Sequence, residues 1–291
     1  MKIAVGPSLH YPSWQWCMND LIPDLETHHN ITVFKKYNEL RNLNFNLLIA
    51  VKFPPPNEFQ VGAKKIIYLP VDYFKRESQI AEHSTFLRSC SIIAIHCTRL
   101  ISLLKPHCNR IEFIDHYDKY VLTKPARFRK RGLVIWTGIN HYINLVREWY
   151  DEKPRNFQLT VLTNRTKKLS TDLRNHPGIS LRDWSEQTQR ECFGRAKAGL
   201  DVKGSSFHQQ TKPPTKIQQF VASGIPTAVN HSSYAWEYFH ERGFDLVDPD
   251  DTERWFSETY WKETSDFAPK LRQAISKANV VQSYLNLISI A

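Results

Sequence analysis

No C-x-x-C pair, no H-E-x-x-H, no G-x-G-x-x-G and no G-x-x-x-x-G-K-[ST] occurs in this sequence. Each absence excludes something. Without close pairs, Cys17, Cys90, Cys97, Cys108 and Cys192 suggest neither a zinc ribbon nor a thioredoxin-like centre. Neither His28-His29 nor His107 with His116 has metal-ligand spacing, so no metal is expected. The missing glycine fingerprints disfavour nicotinamide chemistry and P-loop ATP hydrolysis. No apolar run approaches the roughly 18–20 residues of a membrane span. Ile3-Ala4-Val5 is too short a stretch for a secretory leader. Five scattered cysteines, an odd count, fit a reducing compartment. The expectation is a soluble cytoplasmic chain, with peripheral membrane contact left open.

What is present is core-forming material. Apolar residues make up 41% and aromatics 12% of 291 positions, too much for a disordered chain and enough for one large domain or two. Lys and Arg number 39 against 29 Asp and Glu, a net charge of +10. That excess favours anionic partners: phosphates, nucleic acid or an acidic membrane surface.

Short apolar runs alternate with helical patterns. Ile3–Val5, Ile31–Phe34, Asn46–Val51, Ile66–Leu69 and Ile92–Ile95 read as strands, with helical stretches at Trp14–Leu25 and Arg76–Arg88. Lys119–Arg131 then carries six basic residues and no acid, and reads as a linker. Beyond it the alternation restarts. Gly132–Trp136, Gln158–Leu162, Ile179–Leu181, Ala198–Val202, Thr227–Val229 and Phe244–Val247 are strand-like, interleaved with helices near 143–150, 186–196, 214–223 and 234–242. Continuous apolar strands separated by helices indicate parallel sheets covered on both faces. The fold class is therefore α/β, in two βα-rich halves of similar size; ligands collect at the carboxyl ends of strands, so two facing lobes put the working site in the cleft between them.

The most informative stretch is Lys212 to Thr227. Pro213-Pro214 marks a helix start, since proline loses little at the first turn. Lys212 and Lys216 are four apart, so both can reach that start, where backbone N–H groups, the dipole and the Thr215 hydroxyl converge. Such a place suits phosphate or diphosphate. An ordinary surface helix with solvated lysines is the competing reading. Trp136-Thr137-Gly138-Ile139-Asn140 follows the first strand of the second lobe; Gly138 permits close backbone approach and Thr137 offers a hydroxyl, although a plain turn fits equally.

Lys212-x-x-Thr215-Lys216, then Ala222–Pro226, then Ser233-Tyr234 and Glu237, resembles the nucleotide-sugar-binding half of GT-B fold glycosyltransferases, in particular those with a Lys-x-x-Asn/Thr-Arg/Lys motif. The resemblance covers about residues 198–247. It implies two Rossmann-like lobes facing a central cleft: an acceptor-side lobe at 1–122, a donor-binding lobe at 123–277 and a terminal helix, 278–291, packing back on the first lobe. It also implies a nucleoside-diphosphate sugar as donor substrate, no cofactor and no required metal, with Lys212, Thr215 and Lys216 on the diphosphate. Many retaining members carry two glutamates with seven residues between them; here those places hold Thr211 and Gln219, and Gln219 could still bond a ribose hydroxyl.

For acid–base work the first lobe offers His10, Asp72 and His96 near strand ends, each equally readable as a cap or a satisfied core histidine. Asp72 is the first choice for an inverting reaction. Trp255, Phe256, Tyr260 and Trp261 read as packing, or less simply as an acceptor platform. The leading expectation is a metal-independent hexosyltransferase-like enzyme whose acceptor is anionic: hydroxymethylated DNA, a cell-envelope glycan or a lipid-linked glycan. The alternative is a non-catalytic two-lobed protein that binds nucleotide sugar or nucleic acid.

Overall fold

The computed structural model describes residues 1–9, 11–56, 65–164, 173 and 176–291. It divides into two compact units: Met1–Tyr117 with Ser206–Pro213 and Ile275–Ala291, and Asp118–Ser205 with Pro214–Ala274. The first unit thus ends its main run at Tyr117 rather than 122, and it takes back two later segments.

In the first unit, β1 (Lys2–Gly6), β2 (Asn30–Val33), β3 (Leu47–Val51), β4 (Lys65–Leu69), β5 (Ile92–Ile95) and β6 (Ile111–Phe113) form one sheet in the order β2-β1-β3-β4-β5-β6. All its pairings are parallel. Leu47, Leu48, Ile49, Ala50 and Val51 are all buried, which explains the unbroken apolar run: a parallel strand covered on both faces has no polar side to show. One face packs against Met18, Leu21 and Leu25, and the helix Lys277–Ile290 adds Val280, Tyr284, Leu287 and Ile288 to the same core.

Trp14–Leu25 is not one helix: a π-helical turn at Gln15–Asn19 follows a short turn, and a new helix begins at Ile22. Pro23 explains the restart, because it has no N–H to continue the earlier ladder but fits a first turn. The edge strand β6 had no sequence signal, since three half-buried residues are too few to set a pattern.

In the second unit, β7 (Leu133–Thr137), β8 (Leu159–Thr163), β9 (Ile179–Asp183), β10 (Ala196–Asp201) and β11 (Thr227–Val229) form a second parallel sheet, ordered β11-β10-β7-β8-β9. The expected strand Phe244–Val247 reduces to a single bridge between Ala228 and Val247. Phe244 instead stacks on Phe267, with centroids 4.7 Å apart, and on Tyr260 at 5.9 Å.

The basic stretch Lys119–Arg131 is not a free linker. Its backbone is strapped to the helix Thr215–Ala222 and its cap: Leu122 N donates to Ser223 Oγ at 3.1 Å and Ala126 N to the Ser223 carbonyl at 2.7 Å. Trp261 donates its indole N–H to Ala126 at 3.0 Å, and Arg129 donates to Gly194 at 2.9 Å. The C-terminal aromatics pack rather than form a platform. Trp255 and Tyr260 are fully buried, and Tyr260 donates to the Thr227 carbonyl at 2.8 Å.

Gly224 ends the helix Thr215–Ala222 with φ +70°, a left-handed conformation that costs an L-residue about 1–2 kcal/mol. A Cβ there would also lie 3.0 Å from Pro125 Cβ. Gly224→Ala is therefore expected to lower stability by about 1–2 kcal/mol, read as a lower urea midpoint with unchanged slope.

Candidate functional site

The second sheet reverses its order between β7 and β10. The chain moves outward from β7 through β8 to β9, then returns to the other side of β7 as β10. Loops leaving the carboxyl ends of those two neighbours diverge to opposite faces, and the crevice they leave is the usual ligand site of an open parallel sheet. Thr137 ends β7 and Asp201 ends β10.

The helix Thr215–Ala222 is set against β10 by close packing. A Cβ on Gly199 would come within 2.7 Å of the Phe220 ring, and Phe220 stacks on Phe193 at 4.8 Å. Pro214 caps the helix start, as its locked φ and missing N–H suit. Lys216 in the first turn then projects over the switch point. Its Nζ lies 4.5 Å from the Trp136 ring centroid and 3.6 Å from Asp201 Oδ1. Gly138 makes room: a Cβ there would be 2.6 Å from that same Nζ and 2.6 Å from the Trp136 ring.

Asp201 is only 3% exposed, and its other oxygen is 2.7 Å from Lys203 Nζ. Two ammonium groups on one buried carboxylate leave a net positive charge where the strands end. Burial lowers the Lys216 pKa to about 8; Asp201 opposes the shift and Lys203 adds to it. Some 28% of the Lys216 side chain still meets solvent, which tempers the effect without changing its direction. Asn230 braces the loop, accepting from Lys203 N at 2.8 Å and donating to its carbonyl at 3.0 Å. This arrangement can offset part of the charge of an anionic group such as a phosphate.

The other expected donor-side residues are distributed unevenly. Thr137 and Thr215 are buried beside the switch point. Gln219 is turned inward, its Oε1 accepting from Gln189 Nε2 at 3.2 Å and its own Nε2 enclosed without a hydrogen-bond partner among the described residues. Lys212 does not share the first turn with Lys216. It precedes the helix and belongs to the first unit, where its charge acts on Asp72 and His208.

In that unit Asp72 follows β4 and forms an ion pair with Lys52, at 2.7 Å, just beyond β3. Lys75 donates to the Asp72 carbonyl at 2.9 Å and meets His208 Nε2 at 3.0 Å. Burial works against the Asp72 carboxylate, but Lys52, then Lys75 and Lys212, hold its pKa below the ordinary value. The same surroundings, burial first and then Lys212 and Lys75, push His208 down to about 4. Lys52 and Val71 both have positive φ, 65° and 54°. For a β-branched residue such as Val71 this is a strained backbone, of the kind concentrated at functional sites.

His96 lies one residue beyond β5 but faces inward. It is 2% exposed, its Nδ1 is 2.7 Å from the Ile114 carbonyl, and burial lowers its pKa to about 4. An imidazole so enclosed meets no acceptor hydroxyl in this conformation. His10 lies outside the described residues. Sequence reading did not single out Asp201, Lys203 or Lys52 as site residues; each sits at or just after a strand end, the one local signal that could have marked them.

No protein-family model matches the sequence, and neither does any curated protein. Solved structures do match in fold. The Anabaena protein Alr3699/HepE, crystallised with UDP and glucose, has TM-score 0.64 at 11% identity over 100% of both chains. A DNA-modifying β-glucosyltransferase, crystallised with and without uridine diphosphoglucose, has TM-score 0.60 at 14% identity, covering 99% of this chain and 100% of that one. AviGT4, a glycosyltransferase of avilamycin A biosynthesis, has TM-score 0.61 at 12% identity over 98% and 96%. The chain shares the α/β fold, built on parallel sheets, of these GT-B glycosyltransferases.

The Lys216 environment generates a signed pH effect. Below about pH 8 the amine is protonated folded and unfolded; between about 8 and 10.5 the folded state has released a proton that the unfolded chain still holds. Stability therefore rises with pH across that window relative to Lys216→Met, which lacks the group. Urea midpoints of the two proteins between pH 7 and 10 check this: a constant difference would mean that the amine is not shielded.

Proposed function

We propose that the chain is a glycosyltransferase that takes its sugar from a nucleoside diphosphate donor, bound by the second unit where β7 and β10 part. The observation that carries this reading is the Lys216 ammonium held over Trp136 by the room Gly138 leaves, with Lys203 beside it on the buried Asp201. As the glycosidic bond breaks, negative charge builds on the departing diphosphate, and preorganised ammonium groups stabilise that charge more than the bound ground state. Thr137 and Thr215 add hydroxyls at the same edge, and the Gly138 loop lets backbone approach a phosphate. Two structural neighbours were crystallised with UDP, or with its glucose conjugate, which supports a UDP-sugar as the first donor to test.

The acceptor falls to the first unit. Asp72 is kept ionised by its lysines and accepts a proton from an acceptor hydroxyl once Lys52 turns aside. Lys52, Lys75 and Lys212 around that carboxylate, with the chain's +10 charge, favour an anionic acceptor. Hydroxymethylated DNA is the acceptor we place first, ahead of a cell-envelope glycan; one neighbour of matching length is a DNA-modifying glucosyltransferase. The closed Asp72–Lys52 pair is the one observation that favours a second reading, a binding protein without turnover.

Two measurements separate these readings. Lys216→Ala is expected to lower UDP release from UDP-glucose about 10²–10³-fold, in line with loss of one charge-stabilising donor, while circular dichroism stays unchanged. Full activity in that variant would remove the assignment; donor-induced thermal stabilisation without UDP release, with every acceptor tried, would favour the binding protein. For the acceptor, a gel shift with duplex DNA at about 50 and 200 mM salt should weaken steeply with salt. A salt-independent or absent shift removes the DNA branch.

A further inference from the structure

Three side chains outside the donor site converge in the core of the first unit. Cys17 lies in the π-helical turn Gln15–Asn19, and such turns are frequent at functional sites. His96 stands one residue beyond β5, and His116 three residues beyond β6. β5 and β6 are parallel neighbours in register at Ile95 and Phe113, so both histidines emerge from the same edge. The Cys17 sulfur is 3.2 Å from His116 Nε2 and 3.7 Å from His96 Nε2, and the three ligand atoms lie within 4.8 Å of one another.

We propose that Cys17, His96 and His116 form a binding site for a d10 cation of the Zn2+ class, which ties the Gln15–Asn19 turn to the carboxyl ends of β5 and β6. Zinc–sulfur and zinc–nitrogen bonds of about 2.3 and 2.0 Å at a tetrahedral angle require a sulfur–nitrogen separation of about 3.5 Å. The two observed separations fall on either side of that value. One thiolate with two imidazoles is also the ligand chemistry that suits a borderline-soft ion.

The surroundings fit as well. His96 Nδ1, 2.7 Å from the Ile114 carbonyl, is assigned as the N–H donor of that bond, which turns the Nε2 lone pair toward the sulfur. A backbone carbonyl that fixes the tautomer in this way is the usual outer partner of a metal-bound histidine. All three residues are buried, and the fields of the paired Asp72 and Lys52 both reach Cys17. On binding, the Cys17 S–H proton leaves to solvent and the sulfur electron pair bonds the cation. The thiolate then offsets one of the two charges of the dication.

The test uses the full chain, stripped with a chelator and titrated with Co2+ as a spectroscopic substitute. One equivalent should produce a thiolate-to-cobalt charge-transfer band in the near ultraviolet and tetrahedral d–d bands, all bleached by Zn2+. Cys17→Ser should abolish the charge-transfer band, and His116→Gln should weaken Zn2+ binding more than tenfold. Cys192→Ser should keep both the band and the affinity. Zn2+ should raise the melting temperature of the parent and not of Cys17→Ser. A band that survives in Cys17→Ser overturns the proposal. So does a folded, stripped parent that gives no band, a result that stands even if the Cys17 variant fails to fold. Donor binding at Lys216 is read separately by UDP-glucose thermal shift, so failure of either idea leaves the other to be judged alone.

Discussion

Because every strand in both sheets runs the same way as its neighbours, each connection must cross back over a face before the next strand can begin. Helices therefore cover both sides, strand residues lose contact with water altogether, and all carboxyl ends of a sheet open on one edge. That edge is where the chain must place anything reactive. Thr137, Asp201, Lys52, Asp72 and His96 all lie at it or just beyond it, and the two sheets use it differently.

In the second sheet the edge carries charge in balance with burial. Asp201, at 3% exposure, is bonded closely by Lys203, and Lys216 stands behind. Breaking such a group by removing one partner is expensive, whereas offering it a further anion relieves the crowding of two ammonium groups. Trp136 gives Lys216 a flat, weakly attractive face instead of a second carboxylate, so the amine is positioned without being neutralised. Gly138 is the geometric condition for that position, since any side chain there would meet both the amine and the indole.

In the first sheet the same edge is more crowded and partly closed. Asp72 sits within a ring of lysines, and the two residues that bring Lys52 and Asp72 together, Lys52 itself and Val71, carry the left-handed backbone. Strain of about 1–3 kcal/mol at such positions persists only where packing over-determines it. Behind this layer, the cysteine and two histidines occupy the core rather than the surface.

How much was legible follows from the range of each interaction. Strands β1, β3, β4, β5, β7, β8 and β10 could be read locally, because full burial writes an apolar run, and the prolines at 213–214 with Gly224 marked both ends of the helix that carries Lys216. Lys216 and Gly138 were named as donor residues for the same local reasons. Asp201, Lys203 and Trp136 acquired their meaning only when β10 came to lie beside β7, an adjacency that depends on sheet order and has no local signature. The loss of the strand at Phe244–Val247 was decided by Phe267 and Tyr260, both distant in sequence. The meeting of Cys17, His96 and His116 is the extreme case. Residues so far apart in the chain share no spacing rule, and only parallel pairing of β5 with β6, with the turn at Gln15–Asn19 packed against them, brings one sulfur and two nitrogens to a single point.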